Sequence, residues 1–292
     1  MRSSKILLAV TLAAALGCSA AGSATAAMIS INPSKDNTLY QYNPSAGDLS
    51  NGAGFHFFAG ENAVGEIRRG VLAFDIAGNI PPGSTITGVS LSLNMSMTNS
   101  GTARTIELHK LLADWGEGTS HAGGGEGGGA PATPGDATWR HRFYDTIFWT
   151  TQGGDFSATV SASQSVGPIG MYMWSSTQMV TDVQSWLDNP ASNFGWLVLG
   201  DESTSTTAKR FDTRESASPP ALTIVYTEPT QSPTPTPTAG HTPTPTPSAT
   251  LTPTATPTAT STPTPTPTST PCTGRCSPTP RPRPTPEPRP AT

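Results

Sequence analysis

The sequence predicts an all-β domain, an antiparallel β-sandwich of jelly-roll type with one short helix, set between an export signal and a Pro/Thr-rich tail. Three observations predict it. In the body of the chain apolar residues alternate with polar ones, most clearly in Val89-Ser90-Leu91-Ser92-Leu93-Asn94-Met95-Ser96-Met97. As a strand this run has one buried and one wet face. Turn groups such as Pro81-Pro82-Gly83 and Pro219-Pro220 cut the body into many short segments, the spacing of a sandwich. From about Pro229 to Thr292, finally, Pro and Thr alternate with almost nothing apolar, so this quarter has nothing to bury and cannot fold by burial.

The first element is a secretory signal peptide, residues 1–26. Arg2 and Lys5 precede an apolar run of 11 residues, Ile6 to Leu16, and Ala24-Thr25-Ala26 supplies a small-residue cleavage site. The run is too short to cross a bilayer, and no later run approaches the roughly 18 apolar residues that crossing needs. Ala15-Leu16-Gly17-Cys18 departs from a lipoprotein box because Leu directly precedes Gly, so cleavage after Ala26 is the preferred reading. The chain is therefore expected to be exported and secreted, or held at the cell surface.

Residues 28–228 are enough for one domain with a real core. Strands are expected at Thr38 to Tyr42, Phe55 to Ala59, Gly70 to Ile76, Val89 to Met97, around Ile106 and Leu108, at Ile169 to Trp174, Gly195 to Leu199, Ala208 to Asp212 and Ala221 to Tyr226. Between Ser176 and Leu187 the period changes: Val180, Val183, Trp186 and Leu187 recur at helical spacing. Ser176 or Thr177 can cap its start and Pro190 stops its continuation. Residues 229–292 then form an extended, polyproline-like stalk, which at roughly 3.1 Å per residue reaches on the order of 200 Å.

These pieces carry a family resemblance. In order along the body stand Arg68-Arg69-Gly70-Val71-Leu72-Ala73-Phe74-Asp75-Ile76, Ile80-Pro81-Pro82-Gly83-Ser84-Thr85-Ile86, the alternating strand from Val89, and Asp114-Trp115-Gly116-Glu117-Gly118. Gly195-Trp196-Leu197-Val198-Leu199 follows, then Phe211-Asp212-Thr213-Arg214-Glu215 leading to Pro219-Pro220-Ala221-Leu222-Thr223-Ile224-Val225-Tyr226. In this order they make the sequence resemble the DNRLRE-domain family of secreted bacterial proteins, β-sandwich modules related to disaggregatase-type and carbohydrate-binding domains. The resemblance implies a jelly-roll-like sandwich on a surface protein, with glycan binding known for related modules. This chain carries one such module without a companion catalytic domain, which counts against a role as an enzyme accessory.

Charge narrows the partners. The body holds 10 Lys and Arg against 19 Asp and Glu, a net charge of −9, while the tail carries four Arg and one Glu, +3. An acidic body argues against nucleic acid. It contains no cysteine, which excludes a Cys-based nucleophile or metal site there. Cys272 and Cys276, in Cys-Thr-Gly-Arg-Cys, are candidates for a small disulfide loop or for linking chains in an oxidising compartment.

The Gly-rich run Gly116 to Gly135 lacks the Gly-Lys-Ser/Thr ending of a phosphate loop and lies between strands, so it reads as a long mobile loop. Aromatics flank it: Trp115 before, then Trp139, Phe143, Tyr144, Phe148 and Trp149. Strand alternation places Trp139, His141 and Phe143 on one face and Arg140, Arg142 and Tyr144 on the other. Aromatic rings suit the apolar faces of sugars, and Arg and His suit hydroxyls or uronates. Trp115, Trp139, Arg140, His141, Arg142 and Tyr144 are therefore the candidate carbohydrate-binding set, against the alternative that these rings fill the core or pin the loop.

Asp201-Glu202 offers oxygens for a structural Ca²⁺, and ordinary pairing with arginine is the competing reading. No cofactor is otherwise expected. Catalytic residues are not marked: His56, His109, His121 and His141 lack metal-ligand spacing, and no Gly-x-Ser-x-Gly elbow occurs. Three function classes fit, in this order: a non-catalytic extracellular module binding polysaccharide or cell-envelope glycan; a structural or adhesive envelope protein that associates with copies of itself; and a polysaccharide-degrading enzyme. No Leu-Pro-x-Thr-Gly anchor motif occurs in the tail.

Overall fold

The computed structural model describes residues 26–229. The expected signal peptide up to residue 25, the tail from residue 230 on, and Cys272 and Cys276 with it lie outside the described residues. Among the described residues fifteen strands, one α-helix and one 3₁₀ turn form an all-β domain in which every strand pair is antiparallel. In chain order the strands are β1 (Ala26–Ile31), β2 (Lys35–Tyr40), β3 (Leu49–Ser50), β4 (His56–Glu61), β5 (Ile67–Ala73) and β6 (Thr85–Thr98). Then come β7 (Arg104–Leu111), β8 (Ala130–Pro131), β9 (His141–Phe143), β10 (Ile147–Phe148), β11 (Phe156–Val166) and β12 (Gly170–Ser175). The helix α1 (Thr177–Asp188) precedes β13 (Trp196–Leu199), β14 (Lys209–Asp212) and β15 (Ala221–Thr227). The cut expected after Ala26 falls at the first residue of β1.

Eleven strands make one sheet that curls into two layers, sandwich-like. The long strand β6 centres the first layer. It pairs with β12 along one edge, and with β15 and then β14 along the other, while β1 adds to β15. The second layer runs β2, β5, β13, β7, β11. β4 joins them: His56 to Ala59 pair with β14, and Gly60 and Glu61 pair with Arg68 and Ile67 of β5. The corner needs glycine. Gly60 has φ +112, and a Cβ on neighbouring Gly200 would lie 2.4 Å from the Gly60 nitrogen.

Alternation along each strand decides what is buried where. The odd residues of β6 from Val89 to Met95 face the main core with Phe57, Leu72, Trp174, Trp196, Phe211, Leu222 and Ile224. In the second layer the opposite parity is buried as well. Val71 and Ala73 of β5 and Leu197 of β13 enter a second core, formed where Trp115, Ala137, Trp139 and Trp149 from the segment between β7 and β11 pack on the sheet's outer face. Covered on both faces, these strands read as continuous apolar runs, such as Trp196-Leu197-Val198-Leu199.

The helix forms as its sequence predicts. The Ser176 hydroxyl accepts the Met179 N–H at 3.0 Å, and Met179, Val183, Trp186 and Leu187 are buried along one stripe. Trp186 meets Trp196 at 4.5 Å between ring centroids, so it belongs to the core. Asp182 on the same stripe is buried too, and its carboxylate accepts from Ser161 Oγ, Trp196 Nε1 and Gln178 Nε2.

Candidate functional site

The segment between β7 and β11 is anchored at several points. Within the Gly-rich run, expected to be a mobile loop, Glu126 is 4% exposed. Its carboxylate accepts the backbone N–H groups of Phe55 and His56 and the Asn51 side-chain amide, and its own carbonyl accepts the Tyr40 hydroxyl at 2.8 Å. A buried carboxylate with this many donors fixes the run to the start of β4. Asp136, just after the run, ties its two ends to each other by taking the N–H groups of Thr119 and Thr133.

Of the six predicted carbohydrate contacts, three are buried. Trp115 is 1% exposed and donates its indole N–H to the Phe194 carbonyl. Trp139 lies in the second core under the Arg69 guanidinium, 4.8 Å from the ring centroid. His141 is buried beneath Phe148, with ring centroids 4.2 Å apart, and Tyr144 meets it edge-on at 5.2 Å. Arg140 pairs with Asp48 and covers the Tyr42 ring at 3.8 Å. Burial raises the Asp48 carboxyl, but hydrogen bonding to Arg140 and its charge outweigh this and hold it below its ordinary value. Arg142 and Tyr144 are half-buried on the β9–β10 hairpin, where Arg142 donates to the Phe148 and Asp114 carbonyls. At that hairpin the exposed ring is Phe148, at 59%. The predicted two-faced alternation holds for Trp139 and His141, but their shared face points into the protein.

Asp201 and Glu202 stand on another feature. On the second layer, Arg104, Thr105 and Glu107 of β7 and the turn Gly200 to Ser203 after β13 enclose an open groove of about 750 Å³. Leu199 pairs with Glu107 across the strands and closes its floor. Glu202 grips Arg69 with both oxygens, at 2.7 and 2.8 Å. Asp201 takes Arg104 Nη1 at 2.9 Å and the N–H and hydroxyl of Ser203. The Ser203 hydrogen bonds, with Arg104, keep Asp201 below its ordinary value. Glu107, one-third exposed, approaches His109 Nε2 at 3.2 Å. Arg69 therefore meets both Glu202 oxygens, Arg104 one Asp201 oxygen and Ser203 the other, and among the described residues no three His, Cys, Asp or Glu side chains converge.

A third charged cluster joins β2, the start of the Gly-rich run and the turn after β14. The single Arg214 guanidinium serves Glu117 through Nε and Nη2, at 2.8 and 2.6 Å, and Glu215 through Nε at 2.9 Å. Asp36, fully buried, accepts the Arg214 N–H through Oδ2, while its Oδ1 and Glu215 Oε2 have no partner among the described residues. Burial, then the nearby Glu215 and Glu117, push the Asp36 carboxyl well above its ordinary value of 3.8.

No protein-family model matches this chain, and no curated protein matches it. Nothing in these comparisons identifies the DNRLRE-domain family that the ordered motifs resemble. Of the groove, Asp201 and Glu202 were singled out in the sequence, though for calcium. Arg104, Thr105 and Glu107 were not. Period-two parity puts Thr105 and Glu107 on one face of β7, but their meeting with the Asp201 turn follows from β13 lying beside β7, a long-range pairing with no local signal.

Proposed function

We propose that this domain is a non-catalytic extracellular binding module for polysaccharide, carried on the Pro/Thr-rich segment. The observation that supports it is the open groove at Glu107, Asp201 and Glu202. It is open to solvent, its floor is a strand pair, and the carboxylates of Asp201 and Glu202 are held by Arg69, Arg104 and Ser203 before any ligand arrives. Pre-positioned acceptors and hydroxyls are what a hydroxyl-rich polymer needs, because little ordering cost is left for binding. Charge selects among glycans. Three carboxylates face two guanidiniums there, so a neutral or amino-bearing chain fits and a polyuronate is repelled. The resemblance to carbohydrate-binding sandwiches agrees with this reading.

The test is a glycan array probed with the whole secreted chain. Retention of a neutral or amino-sugar polysaccharide, weakened about tenfold or more in Glu107→Ala at unchanged thermal stability, supports the groove. Absence of binding across the array, or equal binding by Glu107→Ala, overturns it. One observation favours the structural reading instead: Ile169, Met171 and Met173, at 64%, 61% and 56% exposure, leave an apolar row at the edge strand β12. Sedimentation that shifts with concentration, and stops shifting in Met171→Lys, is the outcome that reading requires.

A further inference from the structure

In a body of net charge −9, four cations form no ion pair among the described residues: Lys110, Arg142, Lys209 and Arg210. Lys209 and Arg142 give their protons to several backbone carbonyls and Lys110 to Ser185 Oγ, whereas no acceptor among the described residues meets the Nη groups of Arg210. Arg210 of β14 donates Nε to Ser96 Oγ at 3.1 Å. Its neighbour Arg68 is different. It is 3% exposed, and its Nε, Nη1 and Nη2 each have an acceptor: the carbonyls of Gly127 and Ile67 and the Glu66 carboxylate. Arg210 keeps its outer N–H groups for something else.

Arg210 borders a small, half-open cavity of about 100 Å³ lined by Phe58, Met97, Ala208 and Gly127 together with the polar Asn62, Arg68 and Asn99. The wall at Gly127 belongs to the Gly-rich run that Glu126 fixes to β4, so the cavity is preformed. Apolar walls around a guanidinium lower the local dielectric and strengthen any bond from it to an anion.

We infer that this cavity is a binding site for a small organic monocarboxylate, held by the Arg210 fork with its carbon part against Phe58 and Met97. A carboxylate offers two oxygens in the plane of the fork and an apolar remainder to the walls. A phosphate or sulfate would turn further charged oxygens onto Phe58 and Met97, which offer them no hydrogen-bond donor. The site shares no residue with the groove at Glu107, and does not depend on that groove binding glycan. The carboxylate comes either from a free short acid or from an acidic substituent on a larger molecule.

The test is a ¹H–¹⁵N titration of the whole chain with propionate, with methyl glucuronide and with inorganic phosphate. Expected are saturable shifts at Phe58, Met97, Gly127 and Arg210 with a millimolar dissociation constant for a carboxylate, and at least about tenfold weaker binding in Arg210→Gln. Met97→Trp, a surface change that fills the mouth, should block the same shifts even where Arg210→Gln alters the fold. Propionate acting alone identifies a free acid, and stronger action by the glucuronide identifies a sugar-borne one. No saturable shift with either carboxylate, equal binding by both variants, or phosphate binding as well as propionate overturns the inference.

Discussion

Glu126 and His56 are joined twice: Glu126 Oε2 accepts the His56 backbone N–H at 2.8 Å and lies 3.0 Å from His56 Nδ1. His56 also faces Asp212, whose other oxygen accepts the Asn94 amide at 2.7 Å. The chain of contacts ties the Gly-rich run to β4, β14 and β6 in turn. One carboxylate thus does for twenty Gly-rich residues what an apolar side chain does elsewhere. Glu126→Ala should leave the Phe55 and His56 N–H groups without acceptors and lower stability by about 3 kcal/mol. Glu126→Gln, which keeps one oxygen, should lose less. Urea titration measures both. A Glu126→Ala protein with the parent's midpoint, and no new proteolytic cut between residues 116 and 135, would refute the anchoring role.

Asp36 sets a pH dependence of unusual sign. Its folded carboxyl is raised by burial above the ordinary 3.8, so the folded state binds a proton that the unfolded chain releases. The stability associated with that proton is fully present below the ordinary value and is lost as pH rises through the raised one. Asp36→Asn keeps the acceptor for the Arg214 N–H and removes the buried charge. It should therefore raise the melting temperature at neutral pH and leave it nearly unchanged in acid. Asp48 and Glu66 act in the opposite sense, because both lie below their ordinary values. Their stabilisation is present above those values and is lost as pH falls through the lowered ones. Melting temperatures of parent and Asp36→Asn across acid to neutral pH settle the sign, and a variant less stable than the parent at neutral pH would contradict it.

The strands β5, β6, β7, β13, β14 and β15 were legible because each buries at least one apolar face, and periodicity reports burial directly. β11 was not. Phe156-Ser157-Ala158-Thr159-Val160-Ser161-Ala162-Ser163-Gln164-Ser165-Val166 is mostly small and polar, since it is an edge strand paired with β7 alone, much of it facing solvent. β1 was hidden by its place beside the stretch read as a signal peptide. The aromatic cluster was legible as a cluster but not as buried, because the outer face of the second layer is hidden only once the segment carrying Trp139 folds back on Leu197 and Val71. The Arg210 cavity has no local signal, since its walls come from β4, β6, β14 and the Gly-rich run.

Removing divalent metal should leave the domain untouched. Arg69 neutralises Glu202 in a bidentate pair, and Arg104 with Ser203 satisfies Asp201, so the turn is closed without an ion. A chelator should shift the melting temperature by less than the scatter between replicates. A drop of several degrees, restored by added calcium, would show that these pairs rearrange around a bound ion. Arg69→Ala should do the reverse and create a chelator-sensitive protein. It frees Glu202 beside Asp201, and it also removes the cation from the Trp139 and Phe156 rings.

Trp139 and Phe148 separate core from surface within one short segment. Trp139 is 8% exposed, packs in the second core and lies under Arg69, whereas Phe148 is 59% exposed with its ring tilted over His141. Truncating a buried indole removes its transfer free energy and leaves a cavity, so Trp139→Ala should cost roughly 3–5 kcal/mol. Phe148→Ala, largely in solvent already, should stay within about 1 kcal/mol of the parent. Any loss of glycan retention in Trp139→Ala then has to be read together with its unfolding curve, while a loss in Phe148→Ala would be a loss of contact. Equal stability of the two variants would mean that the indole does not hold the second core together, and would return Trp139 to the set of residues free to meet a sugar.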